Sequence, residues 1–412
     1  METNKTKTFT KTRIILGILV FLICAGVVFA YLNKVFSMGD SDANRQTFKA
    51  FYAEEENTID VAYFGTSASN RYFINPKAFH DEGISSFTLA TMGMPLFYVP
   101  NLIEEVEKTQ DPDLYIIELR WVDKEVDQIS DAHIRRVTDN LKLSMNKHDA
   151  IQKSFKYMDG NTGMLGDITT NEVEYLIPII KYHGRLSQNS MTPGDFKIPS
   201  SKNETKGYVM SYSTTKQVNQ FMSRLSDDRE PLSDIADTAL KEVLDYCDSL
   251  PEDKQVLFVL SPYSVKKAQM PKFNTAIDIV TERGYDVINF NTPEMYDELG
   301  IDWDHDFYNS KHVNYLGAEK YTEWLTKYLK EHYKLKDHRG DARYDSWEKA
   351  YKVYRNYVKN GILTVGHKDK IGGEVTIIDQ NNPDADKVIE DYEKKEEYKE
   401  QVKKKNGIED EE

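Results

Sequence analysis

The chain has 412 residues, 40% of them hydrophobic and 12% aromatic, which is enough apolar material for one large domain or two average ones and excludes a disordered chain. Its formal net charge of −15 excludes nucleic acid as a main partner, because phosphate binding needs a basic surface. The two cysteines, Cys24 in an apolar run and Cys247 in a helix-like stretch, are poor disulfide partners and form no Cys-x-x-Cys metal motif.

Residues 1–13 form a basic segment with Lys5, Lys7, Lys11 and Arg13. The run from Ile14 to Leu32 then carries no charge and has the length that crosses a hydrocarbon core of about 30 Å. Residues 14–33 therefore read as a single membrane anchor. The one-sided basic flank places the N-terminus in the cytoplasm and the main domain outside, with Tyr31 near the far interface. The competing reading is a signal peptide cleaved after Val28-Phe29-Ala30, but the apolar run exceeds the usual signal core of about 7–15 residues. Both readings put the rest of the chain outside the cytoplasm.

Residues 34–58 read as a helical stalk with scattered aromatics, Phe36, Phe48, Phe51 and Tyr52. The folded domain is expected over 59–333. Four short apolar runs, Val61–Phe64, Leu114–Leu119, Val256–Leu260 and Val287–Phe290, alternate with helical patterns around Leu102–Val106, Ile235–Tyr246 and Thr275–Val280. Continuous apolar strands alternating with helices predict an α/β fold, a parallel sheet with helices on both faces. The stretch 123–232 breaks this rhythm. It is polar, partly helical, and strongly apolar only at Tyr175-Leu-Ile-Pro-Ile-Ile180, with a Ser-, Asn-, Pro- and Gly-rich loop from Ser187 to Gly207. It is expected to be a helical insertion that covers the active face. Ala318 to Lys330 closes the domain as a helix. A C-terminal extension over 334–383 contains an aromatic helical pattern from Ser346 to Lys359, read as a packing face, and a strand from Gly372 to Asp379. Residues 384–412 are a solvated charged tail.

The chemistry is expected where the first strand breaks. Val61-Ala-Tyr-Phe-Gly65-Thr66-Ser67 sets a serine at the C-terminal edge of a parallel sheet, where open α/β sheets bind ligands. The backbone N–H of Ser67 can face a developing oxyanion there. A serine hydroxyl needs an adjacent base, and the base needs a partner for its ring. His312, in Asp306-Phe-Tyr-Asn309-Ser-Lys-His312, is the candidate base, with Asn309 three residues before it and Asp306 six before it as candidates to orient the ring. The plainer readings are a helix cap for Ser67 and a surface loop histidine for His312. Arg120 is a candidate ligand for an anionic substrate or a partner for Glu118.

On two blocks, Val61-Ala-Tyr-Phe-Gly65-Thr66-Ser67-Ala-Ser and Asp306-Phe-Tyr-Asn309-Ser-Lys-His312-Val-Asn314-Tyr-Leu-Gly317-Ala, the chain resembles the SGNH hydrolase superfamily. The resemblance covers about residues 59–330 apart from the insertion. It implies that Gly93, in Ala90-Thr-Met-Gly93-Met-Pro95, supplies a second oxyanion N–H beside that of Ser67. It also marks two departures. Arg120-Trp121 follows the third strand where the family carries Gly-x-Asn, and Asn309 stands where the family carries its triad aspartate. With one anchor helix and an outward domain, the chain looks most like the cell-envelope branch, which includes teichoic-acid D-alanyl transfer and alginate O-acetyltransferase-like proteins. That branch implies a serine esterase or O-acyltransferase acting through an acyl-Ser67 intermediate on a cell-envelope polysaccharide or teichoic-acid-like polymer. It further implies work beside a membrane-bound O-acyltransferase, and no metal or organic cofactor. The alternatives are a catalytically weak or inactive SGNH-fold partner in an envelope polymer-modification complex, and a lipid or peptidoglycan ester hydrolase with no acyltransferase partner.

Overall fold

The structure, a computed structural model, describes residues 2–36, 42–125, 128–158, 171–188, 191, 196, 202–215, 217 and 226–371. The expected strand at 372–379 and the charged tail at 384–412 lie outside the described residues, as does much of the 187–207 loop.

In chain order the elements are α1 (Glu2–Val35), α2 (Ala43–Phe51), β1 (Val61–Gly65), α3 (Ser67–Tyr72), α4 (Asn75–Glu82), β2 (Ser86–Ala90), α5 (Val99–Glu107) and β3 (Leu114–Glu118). The 123–232 region contributes α6 (Asp131–Thr138), α7 (Met145–Met158), α8 (Glu172–Leu176) and α9 (Pro178–Tyr182). There follow α10 (Asp234–Asp248), β4 (Gln255–Leu260), α11 (Met270–Glu282), β5 (Asp286–Asn289), α12 (Pro293–Leu299), β6 (Phe307–Asn309), β7 (His312–Val313), α13 (Tyr315–His332) and α14 (Asp345–Ile371).

Five strands form one parallel sheet in the order β2-β1-β3-β4-β5. Side chains alternate across a strand, and the burial follows that rule. Ala62, Phe64, Tyr115 and Ile117 join one apolar core with α5, α10 and α11, whereas Val61, Tyr63, Leu114 and Ile116 join a second with α13. The expected parallel α/β sheet with helices on both faces is the observed architecture. The expectation missed β2, whose Ser-Phe-Thr-Leu-Ala reads as mixed polar. Thr88 is buried with a partner, the Asn75 amide donating to its Oγ1 at 2.9 Å.

Three further expectations change. Within the expected helical stalk at 34–58, α2 is part of the fold: its Phe48 and Phe51 are buried in the core, and Phe51 meets Phe87 of β2 edge-on at 5.7 Å. The spacing of Phe48, Phe51 and Tyr52 is one helical face, and that face docks. The 123–232 region is likewise more than a cover, because Ile134, Val137 and Ile151 belong to the main core. Its later part straps the sheet: Lys206 accepts the Thr88 N–H at 3.1 Å and so closes the outer edge of β2. Gly207 is required there, with φ at 90° and a Cβ position only 2.0 Å from the Thr88 carbonyl oxygen. The aromatic stripe of α14 is a packing face as expected, since Trp347 is fully buried and its indole N–H donates to the Ser86 carbonyl at 3.1 Å.

One described helix is long and apolar enough to cross a membrane: Lys11–Val35, 25 residues, with a mean hydropathy of 2.9 over its most apolar 18. At 1.5 Å per residue it spans about 37 Å.

Candidate active site

The turn before Ser67, the candidate nucleophile, is dictated by crowding. β1 ends at Gly65, where φ is 153° and a Cβ would lie 2.2 Å from Ser69 Oγ and 2.5 Å from Glu118 Cβ. Only glycine fits between the first turn of α3 and the end of β3. Thr66 then caps α3, its hydroxyl accepting the Ala68 N–H at 3.3 Å. The capping duty therefore falls to Thr66 and not to Ser67. Ser67 opens the helix, at a position whose N–H has no acceptor within the helix.

His312, the candidate base, arrives on a hairpin. β6 and β7 pair antiparallel with Asn309 opposite His312, so the two intervening residues, Ser310 and Lys311, form the turn that brings the two side chains together. Asn314 fixes the hairpin to the helix behind it. Its side chain caps α13 by accepting the Leu316 and Gly317 N–H groups and donates to the His305 carbonyl at 2.6 Å. Gly317 lets α13 press against β7: a Cβ there would lie 2.6 Å from the Asp306 carbonyl oxygen and 2.8 Å from Val313 Cβ.

Ser67 Oγ lies 2.8 Å from His312 Nε2, and His312 Nδ1 lies 3.0 Å from Asn309 Oδ1. The Lys311 N–H donates to the same Asn309 Oδ1 at 2.8 Å. An amide oxygen that already accepts from Lys311 accepts from the imidazole as well, so Nδ1 carries the ring proton. Nε2 is then the lone-pair nitrogen facing the serine hydroxyl, the tautomer a general base requires.

Burial pushes the His312 pKa down to about 3, helped by the cations of Arg120, Arg71 and Lys311. The imidazole is neutral at neutral pH, and no carboxylate among the described residues pairs with it. Arg71 lies on α3, one helical turn after Ser67, 5.5 Å over the Tyr308 ring and bonded to Ser211. It was not singled out from the sequence, although its four-residue spacing from Ser67 on a helix is the signal that finds it.

Arg120 stacks on the Tyr263 ring at 3.8 Å and donates to the Lys311 carbonyl at 2.6 Å and to the Tyr72 hydroxyl at 3.2 Å. Tyr72 donates to that same carbonyl at 3.2 Å. These contacts make Arg120 a positioning residue for the turn that holds His312. Its backbone N–H, together with that of Ser261, reaches Glu118 Oε1. Glu118 is fully buried beneath the Gly65 turn with its second oxygen unpartnered, and burial raises its pKa.

Asp306 does not orient the ring. Its carboxylate is buried against Lys320 Nζ at 2.7 Å and accepts the Asp302 N–H at 2.7 Å, which uses it as a brace for the hairpin base. Gly93 lies three residues past β2, at the same sheet edge as Ser67. Its φ is 68°, and His133 of α6 packs where a side chain would stand, with Nε2 2.5 Å from a Cβ position. The insertion thus closes over the loop that carries Gly93.

Searched against protein-family models and curated proteins, the chain matches none.

Proposed function

We propose that the protein is a membrane-anchored, extracytoplasmic serine esterase or O-acyltransferase of the SGNH type, acting on acyl groups of a cell-envelope polymer. The observation that carries this reading is the continuous hydrogen-bonded line Ser67–His312–Asn309 at the C-terminal edge of a parallel sheet. Ser67 Oγ attacks the acyl carbonyl carbon while its proton passes to His312 Nε2. The N–H of Ser67, with that of Gly93 as the second donor, meets the oxyanion. Collapse of the tetrahedral intermediate breaks the bond to the leaving oxygen, which takes the proton from Nε2 and leaves acyl-Ser67. Water or a sugar hydroxyl then attacks the acyl-enzyme by the same route in reverse. The apolar α1 anchor supports a membrane location, and the polymer, the acyltransferase partner and the N-terminus-inside orientation belong to the same proposal.

Asn309 favours a second reading, a catalytically weak partner protein, because a neutral amide orients the ring without stabilising the imidazolium. Incubation with 4-nitrophenyl acetate separates the two. The enzyme reading expects release of nitrophenol with an acetyl group on Ser67 by peptide mass spectrometry, absent from Ser67→Ala. Equal turnover by wild type and Ser67→Ala supports the partner reading.

A further inference from the structure

The apolar patch at 175–180 has no part in the acyl chemistry, yet it sits where the anchor meets the fold. Asn33 Oδ1 of α1 accepts the Ile179 N–H at 3.0 Å, and the Tyr31 hydroxyl donates to the Phe196 carbonyl at 2.7 Å. Val35 and Phe36 are buried, so the last turn of α1 is part of the fold. The apolar run of α1 ends at Leu32. With a rise of about 1.5 Å per residue, groups bonded to Tyr31 and Asn33 lie within a few ångströms of the end of the hydrocarbon core. Ile180 is 39% exposed, Leu186 62% and Phe196 45%, all beside this junction. Residues 178–186, Pro-Ile-Ile-Lys-Tyr-His-Gly-Arg-Leu, hold two cations and no acid in a chain of net charge −15. Apolar side chains flanked by Lys, Arg and aromatic residues are the pattern of an interfacial segment.

The same junction lies at the catalytic edge of the sheet. Asn44, at the start of α2 where the chain enters the fold, accepts the Met92 N–H at 3.1 Å, two residues past β2 and next to Gly93. Arg136 of α6 donates to the Met92 carbonyl at 2.8 Å, and α9 is tied to α6 by Lys181–Asp131 at 3.3 Å and by the Tyr182 hydroxyl on Asp139 at 2.7 Å.

We propose that residues 178–186 with Phe196 form a membrane seat: they lie in the headgroup zone of the bilayer beside the emerging anchor and turn the sheet edge that carries Ser67 toward the lipid. The occupant is the phospholipid surface, because the patch is continuous with a helix built to cross it. The inference rests on the anchor reading of α1 and is independent of the chemistry at Ser67. Its consequence is that a substrate held at the membrane reaches Ser67 without leaving the surface.

The test uses the full chain with Cys24→Ala, reconstituted in vesicles of phosphatidylcholine and phosphatidylglycerol, with buried Cys247 retained and checked for absence of label. Single cysteines carrying an environment-sensitive nitrobenzoxadiazole dye are placed by Ile180→Cys, Leu186→Cys and Leu143→Cys. Leu143 is the contrast: it is 80% exposed but precedes Ser144, whose hydroxyl meets Lys108 at the end of α5, away from the catalytic edge. Doxyl-labelled lipid is expected to lower emission about twofold or more at 180 and 186 and to leave 143 unchanged. Equal, low quenching at all three sites overturns the seat, as does a blue-shifted emission that lipid quenchers do not reach, which marks a protein surface over the patch. Energy transfer to a headgroup dye reads the orientation. Lys311→Cys, at the catalytic edge, is expected to transfer more strongly than Asp253→Cys, which precedes β4 at the opposite edge, and equal or reversed transfer overturns it. Neither readout depends on enzymatic activity.

Discussion

Ser67 and His312 meet at 2.8 Å but are held in opposite ways. Ser67 opens α3 two residues past a strand whose five residues are all buried, after a turn so crowded that only glycine fits at position 65. His312 stands on a two-stranded hairpin of three and two residues, held by Arg120 and Tyr72 on one carbonyl and by Asn314 behind it. The candidate nucleophile is fixed by packing and the candidate base by a few polar bonds. The first arrangement resists change, whereas the second is open to tuning; the low basicity of His312 comes first from its burial and then from the cations of Arg120, Arg71 and Lys311.

The largest way to break this pairing is to remove either partner. Ser67→Ala and His312→Ala should each lower esterase turnover by about 10⁴-fold, with little change in thermal unfolding. Gly65→Ala attacks the packing side. It should destabilise the fold by about 3 kcal/mol, seen as a drop in the denaturant midpoint, because Glu118 Cβ and Ser69 have nowhere to go. Arg120→Gln attacks the polar side. It should leave the fold intact and lower kcat by about 10²-fold, because the turn bearing His312 loses its anchor. It should also move the acid limb of kcat/KM upward, since one of the cations that hold His312 neutral is gone. Asn309→Asp sharpens the comparison in the other direction. A carboxylate at Nδ1 should raise the His312 pKa by about one to two units and raise turnover about tenfold.

The pH dependence of stability follows with a definite sign. The folded-state pKa of His312 lies below its unfolded value, so the unfolded chain binds the proton first. The contribution of His312 to stability is therefore complete above about pH 6.5 and is lost as pH falls toward 3. Urea midpoints taken across that window should decline more steeply for the wild type than for His312→Gln.

The same contrast explains what could be read from the chain. β1, β3, β4 and β5 are continuous apolar runs and announce themselves, as does the glycine-broken turn at Ser67. β2 hides because its Thr88 hydroxyl is satisfied by the Asn75 amide and its Ser86 carbonyl by the Trp347 indole, partners that no local pattern encodes. The Asn309–His312 spacing was legible because a two-residue turn places the pair face to face. The choice between Asn309 and Asp306 was not, since it depends on Lys320, fourteen residues on, capturing the Asp306 carboxylate. Arg120 was noticed as a charge, but its duty to the Lys311 carbonyl joins residues far apart in sequence. The docking of α2 is legible only on a helical wheel, where Phe48, Phe51 and Tyr52 share one face; along the chain they are scattered among polar residues.

The central claim, that Ser67 is a nucleophile activated by His312, is met most directly by labelling with a fluorophosphonate probe and mapping the modified peptide. The account predicts stoichiometric phosphonylation of Ser67 in the wild type and its loss in His312→Ala protein that retains the wild-type unfolding transition. Absence of label on folded wild-type protein, or label on Ser67 undiminished by His312→Ala, would contradict it.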